Sequence, residues 1–138
     1  MRVRYPVVVA FAFVAACGPS EPSTAYRAYT DHYAIRVSTE PMPPIAGQRT
    51  VYKVVVRDKE SGQPIEGGEG RIFAETRDGA HTWDSFTPGP ELGTYYANLH
   101  FVVSGQWAIG LQFRRDSTQP LERADWMQEV TPDTSSIP

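Results

Sequence analysis

Apolar and polar residues alternate with a period of two in one short segment after another. That repeat constrains the fold of this 138-residue chain more than any other feature. In Arg49 to Asp58 (RTVYKVVVRD), Tyr52, Val54 and Val56 point one way, with Lys53 and Arg57 among the residues pointing the other. In Thr94 to Phe101, Tyr95, Ala97, Leu99 and Phe101 share a face opposite Thr94, Tyr96, Asn98 and His100. In Gln106 to Arg114, Trp107, Ile109, Leu111 and Phe113 do the same. Successive side chains of a strand point to opposite faces, so each segment has one face to bury, and β-branched and aromatic residues suit that surface. Weaker forms of the pattern run through His32 to Ser38, Arg71 to Arg77 and Thr82 to Thr87, and Trp126 to Val130 reads as an edge strand.

Turn signals separate these segments. Pro41, Pro43 and Pro44 end the first strand, and Ser61-Gly62-Gln63-Pro64 follows the second. Asp78-Gly79 is a hairpin dipeptide, Pro88-Gly89-Pro90 is a loop, and Ser104-Gly105 reads as the turn of a last hairpin with a shared apolar face. Seven or so strands with no amphipathic helix predict an all-β fold: an immunoglobulin-like antiparallel β-sandwich of about seven strands. The Cys…Trp…Cys framework of antibody domains is missing, and the face carrying Trp107 is expected to supply much of the core.

The N-terminus has a different character. Arg2 and Arg4 precede an unbroken apolar run from Val7 to Ala16, and small residues lead into Cys17. A positive start, a short apolar stretch and a small-residue cleavage site describe a secretory signal peptide. Ten apolar residues are about half of what a membrane-spanning helix needs. Val14-Ala15-Ala16-Cys17 resembles the lipobox of bacterial lipoproteins, which implies cleavage before Cys17 and lipid, palmitate included, on that residue. Cys17 is the sole cysteine, so no disulfide is expected and the domain must be held by its core. The expected organisation is a signal peptide over 1–16, lipidated cysteine and linker over 17–28, the sandwich over 29–131 and a frayed tail over 132–138. The expected location is the bacterial cell envelope, facing the periplasm. Gly18 stands where an aspartate would retain an enterobacterial lipoprotein at the inner membrane, which favours the outer one.

Charge narrows the partners. The chain carries 13 Lys+Arg and 16 Asp+Glu, a net −3, and losing Arg2 and Arg4 takes the mature chain to −5. Arg114-Arg115 is the only adjacent basic pair in the mature chain, so neither a nucleic-acid partner nor a polybasic membrane-surface role is expected. The expected partners are a membrane, through lipid on Cys17, and an unidentified protein or small ligand.

Three segments carry a family resemblance: Val51 to Asp58, Ser61-Gly-Gln-Pro-Ile65, and Gly93 to Phe101 with Gly105-Gln-Trp-Ala-Ile109. Together, over roughly residues 45 to 114, they resemble the YtkA-like domains, small immunoglobulin-like modules of exported bacterial proteins similar to the extracytoplasmic part of FixH proteins. The resemblance implies a non-enzymatic accessory module, and through FixH a link to copper and oxidase assembly. FixH proteins carry a membrane helix where this chain has the lipobox-like cysteine.

Candidate chemistry falls into three classes. Imidazole and thioether suit copper, and His81 and His100 are the candidate metal ligands, with His32, Met42 and Met127 the other soft donors. No two of these fall at a short ligand spacing, and isolated surface histidines are the plainer account. No GxSxG elbow, HExxH helix or phosphate-binding loop is present, and Glu75, Asp78, Asp84 and Glu91 read as solvated turn carboxylates, so no catalytic activity is expected. Trp83 and Phe86, in His81-Thr-Trp-Asp-Ser-Phe86, are candidate contacts for a partner, with a plug at one end of the core as the favoured reading of Trp83. The function these readings support is a lipid-anchored, non-catalytic binding or accessory module. The alternatives are a copper-handling or oxidase-assembly module and a structural envelope lipoprotein.

Overall fold

The computed structural model describes residues 25–135. Nine strands and no helix occur there: β1 (Tyr26–Tyr29), β2 (Tyr33–Glu40), β3 (Arg49–Asp58), β4 (Glu69–Glu75), β5 (His81–Ser85), β6 (Thr87–Pro88), β7 (Thr94–His100), β8 (Gly105–Arg114) and β9 (Glu122–Val130). They form two antiparallel sheets, β1-β2-β3-β7-β6 and β5-β4-β8-β9. The order β2-β3-β7-β6 against β4-β8-β9 matches the A-B-E-D and C-F-G sheets of immunoglobulin constant domains. The sandwich is thus the expected one, with β1 and β5 added at its edges.

The alternating residues fill the space between the sheets. Tyr52, Val54 and Val56 of β3 and Tyr95, Ala97 and Leu99 of β7 meet Trp107, Ile109, Leu111 and Phe113 of β8, and all are essentially solvent-free. Aromatic edges interlock across the layer: Phe101 and Trp107 lie 5.0 Å apart, Tyr95 and Phe113 5.3 Å, and Tyr33 and Phe113 5.1 Å between ring centroids. Such T-shaped pairs add to the gain from burial. The polar ends of these rings are spent on holding loops. Tyr95 Oη donates to Ile65 O at 2.6 Å and accepts from Gly68 N at 2.9 Å, and Trp107 Nε1 donates to Val103 O at 3.0 Å.

Two expectations about connectivity are corrected. The strands Thr94 to Phe101 and Gln106 to Arg114 do not form a hairpin: β7 pairs with β3 and β6, whereas β8 pairs with β4 and β9. The chain arches from one sheet to the other through 101–104. A hairpin would leave both apolar faces on one side of one sheet. The arch turns them toward each other, so that Phe101 meets Trp107 across the core. The strand expected over Thr82 to Thr87 is also divided. β5 ends at Ser85, Phe86 crosses between layers, and β6 continues in the opposite sheet.

Some boundaries move as well. β1 begins at Tyr26, inside the segment read as linker. It has one buried residue, Ala28, and it is fixed at the sandwich edge by Tyr26, which stacks 4.7 Å from Trp126 and donates to Asp125 O at 3.2 Å. β9 reaches back to Glu122, whose carboxylate accepts from His32 N at 2.9 Å and lies 2.8 Å from His32 Nδ1. The Asp78-Gly79 hairpin is present between β4 and β5: Thr76 N donates to Ala80 O, and Gly79 takes a φ of 93° that the turn requires.

Candidate binding surface

The outer face of β5-β4-β8-β9 is assembled by register. β4 pairs with β5 and β8, and β8 pairs with β9, so Trp83, Phe73, Gly110 and Asp125 fall in one row across four strands. The next rows hold Ser85, Arg71, Gln112 and Arg123 on one side, and His81, Glu75, Ala108 and Met127 on the other. Trp83 is 59% exposed and Met127 62%. Between them Gly110 and Ala108 keep the floor low.

Phe73 is the organising side chain. Its ring lies over Gly110, where an added Cβ would come within 2.3 Å of the ring. The Arg123 guanidinium sits 4.9 Å from the ring centroid and that of Arg71 5.3 Å. Both cations are steered there by neighbours: Arg123 Nε donates to the Asp125 carboxylate at 2.9 Å, and Arg71 Nε donates to Gln112 Oε1 at 3.0 Å. A cation over an aromatic face is worth about 0.5–1 kcal/mol at an exposed site. The result is a strip in which an exposed indole stands across from a phenyl ring that is flanked by two guanidinium groups.

The candidates separate accordingly. Trp83 is not the core plug it was expected to be. That role falls to Phe86, which is partly buried against the core 6.2 Å from Tyr95, where the chain changes sheets. Phe86 is therefore no part of the exposed strip. His81 belongs to the outward face of the β5 sheet and His100, opposite Arg49, to the outward face of the other sheet. β5 is nonetheless tied to β7, because Thr82 Oγ1 accepts from His100 N at 3.2 Å and Asp84 Oδ2 from Asn98 N at 2.8 Å. Asp84 is thus a structural carboxylate. Among the described residues, no three His, Cys, Asp or Glu side chains gather as a metal-holding group. Met42 and Met127 do line one groove, with Tyr26 and Trp126. Cys17 lies outside the described residues.

A second cluster escaped the sequence reading. Arg27, Arg36, Lys53 and Arg57, from β1, β2 and β3, line one groove of about 530 Å³ on the outer face of the other sheet. Adjacency in sequence is a poor guide to charge clustering in strands. The adjacent pair Arg114-Arg115 is divided between Glu69, at 2.7 Å, and Asp58, at 2.6 Å, whereas outward positions of neighbouring strands gather their cations. Reading the outward residues of β1, β2 and β3 together would have found it.

The fold has a solved counterpart. A crystal structure of a DUF4426 family protein from Pseudomonas aeruginosa is similar, with a TM-score of 0.58 at 15% identity, covering 79% of this chain and 96% of that one. At that identity the likeness speaks for the sandwich. No protein-family model matches the chain, and no curated protein sequence does.

Proposed function

We propose that this protein is a lipid-anchored, extracytoplasmic binding module without catalytic activity, and that it meets its partner on the strip centred on Trp83. The observation that carries the reading is the exposure of Trp83, 59%, directly across from a Phe73 ring flanked by Arg71 and Arg123. Tryptophan and arginine dominate the energetics of protein interfaces, because they combine large apolar area with directed polar groups. A rigid sheet presents them here without the entropy cost of ordering a loop. The partner that suits this chemistry is an envelope protein offering an apolar side chain beside a carboxylate.

The tether in this reading comes from Val14-Ala15-Ala16-Cys17 and the apolar run before it. The accessory role draws on the resemblance to YtkA-like domains, whose motif segments correspond to β3, the turn after it, β7 and the start of β8. Neither depends on the strip.

The test is site-specific photo-crosslinking in the full-length, membrane-anchored chain. A photoreactive residue in place of Trp83 is expected to give one discrete adduct, and the same residue in place of Val102 none. Gly110→Ala, which must push the Phe73 ring off β8, is expected to lower the adduct yield severalfold with the fold intact. Equal adduct ladders from both positions, or none from Trp83, would count against the reading.

A further inference from the structure

The outer face of β1-β2-β3-β7-β6 has the opposite chemistry to the strip. Register sets Arg27 directly across from Arg36, and it sets Arg36 across from Val55, diagonal to Lys53 and Arg57. Four of the eleven cations of the mature chain therefore share one groove, and Glu91 is the single carboxylate among the residues that line it. Like charges facing each other in a sheet are unfavourable, and the mature chain as a whole is acidic, so the concentration of positive charge is local. Between the cations the groove is lined by the short side chains of Ala34, Val55 and Thr94. At its rim Tyr29 is 68% exposed and Leu92 62%.

We infer that this face docks on the phosphate-bearing surface of an anionic bilayer. Cations gathered on one sheet face complement a plane of phosphates, and polybasic surfaces bind anionic leaflets through summed, salt-sensitive attraction. Tyrosine and leucine beside those cations are side chains that settle into the headgroup boundary. The strand that supplies Arg27 and Tyr29 is also the first after the tether. Nine residues lead from Cys17 to Tyr26, at most about 30 Å of extended chain. A lipid on Cys17 would keep this face within reach of the membrane and turn the Trp83 strip away from it. That orientation rests on the tether in the proposed function; the binding to anionic lipid does not.

The experiment uses the mature chain from residue 17 with Cys17→Ser, so that lipid cannot contribute. All described strands and the whole core lie downstream of that start. Sedimentation with phosphatidylglycerol/phosphatidylcholine vesicles is expected to show binding that weakens as salt rises, and pure phosphatidylcholine vesicles to show little. The combined variant Arg27→Gln, Arg36→Gln, Lys53→Gln, Arg57→Gln is expected to lose binding at least about tenfold. Arg27→Lys, Arg36→Lys, Arg57→Lys should retain it, which separates charge from folding. Arg71→Gln, Arg123→Gln on the opposite face, and Trp83→Ala, should leave it unchanged. Absence of vesicle binding, equal binding to neutral vesicles, or full binding by the glutamine variant would overturn the inference and leave the Trp83 reading standing. Binding of inorganic phosphate without vesicle binding would overturn it too, in favour of a small-anion pocket.

Discussion

Tyr52 is fully buried on β3, its hydroxyl has no hydrogen-bond partner among the described residues, and burial raises its phenol pKa well above the ordinary value. A buried polar group left unpaired costs about 1–3 kcal/mol, and deleting it with the ring retained removes that cost. Tyr52→Phe is therefore expected to raise stability by about 1 kcal/mol in denaturant unfolding, against the usual direction of core substitutions. The alternation of residues placed Tyr52 in the core correctly but carried no sign of its unpaired hydroxyl, since hydrogen-bond satisfaction depends on neighbours from other strands. Trp83 and Phe86 make the same point. Three residues apart in one aromatic segment, one ends exposed and the other packed against the core, because the chain changes sheets at Phe86 and nothing in a period-two pattern marks that change.

At the scale of elements, the turn after β3 shows charge organising backbone. The Asp58 carboxylate accepts from Glu60 N and Ser61 N at 3.0 and 2.9 Å and from Arg115 Nη2 at 2.6 Å. The Ser61 backbone bond, then the Arg115 side chain, hold its pKa down at about 2, below the ordinary 3.8. A carboxyl whose folded pKa is depressed stabilises the fold above its unfolded pKa, and that contribution fades as pH falls through the folded value. The stability difference between the protein and Asp58→Asn is thus expected to be constant above about pH 5 and to shrink between about pH 4 and pH 2. Denaturant midpoints at pH 6, 4 and 2.5 measure it, and a difference unchanged at the lowest pH would contradict the role given to the charge. The strands themselves were readable wherever one face was strongly apolar, as in β3, β7 and β8. β1 was missed because it buries a single alanine. The β7–β8 connection was misassigned because an arch and a hairpin both bring two apolar faces together, and only the partners of each strand distinguish them.

At the scale of the whole molecule, the sandwich has two outer faces of different character. One presents Trp83, Phe73, Arg71 and Arg123 in an aromatic strip, the other a groove of four cations with exposed Tyr29 and Leu92 beside it. Fold class was legible because binary patterning reports what each strand buries. The faces were not, because what a strand exposes acquires meaning only when register sets it beside its neighbours. The Trp83 strip is expected to be covered in the envelope, and hydroxyl-radical footprinting with mass spectrometry measures this directly. Trp107, fully buried, serves as the internal reference. In the isolated domain Trp83 is expected to oxidise readily and Trp107 hardly at all. In intact membranes Trp83 is expected to be protected severalfold relative to the isolated domain. Equal reactivity of Trp83 in both settings would contradict it.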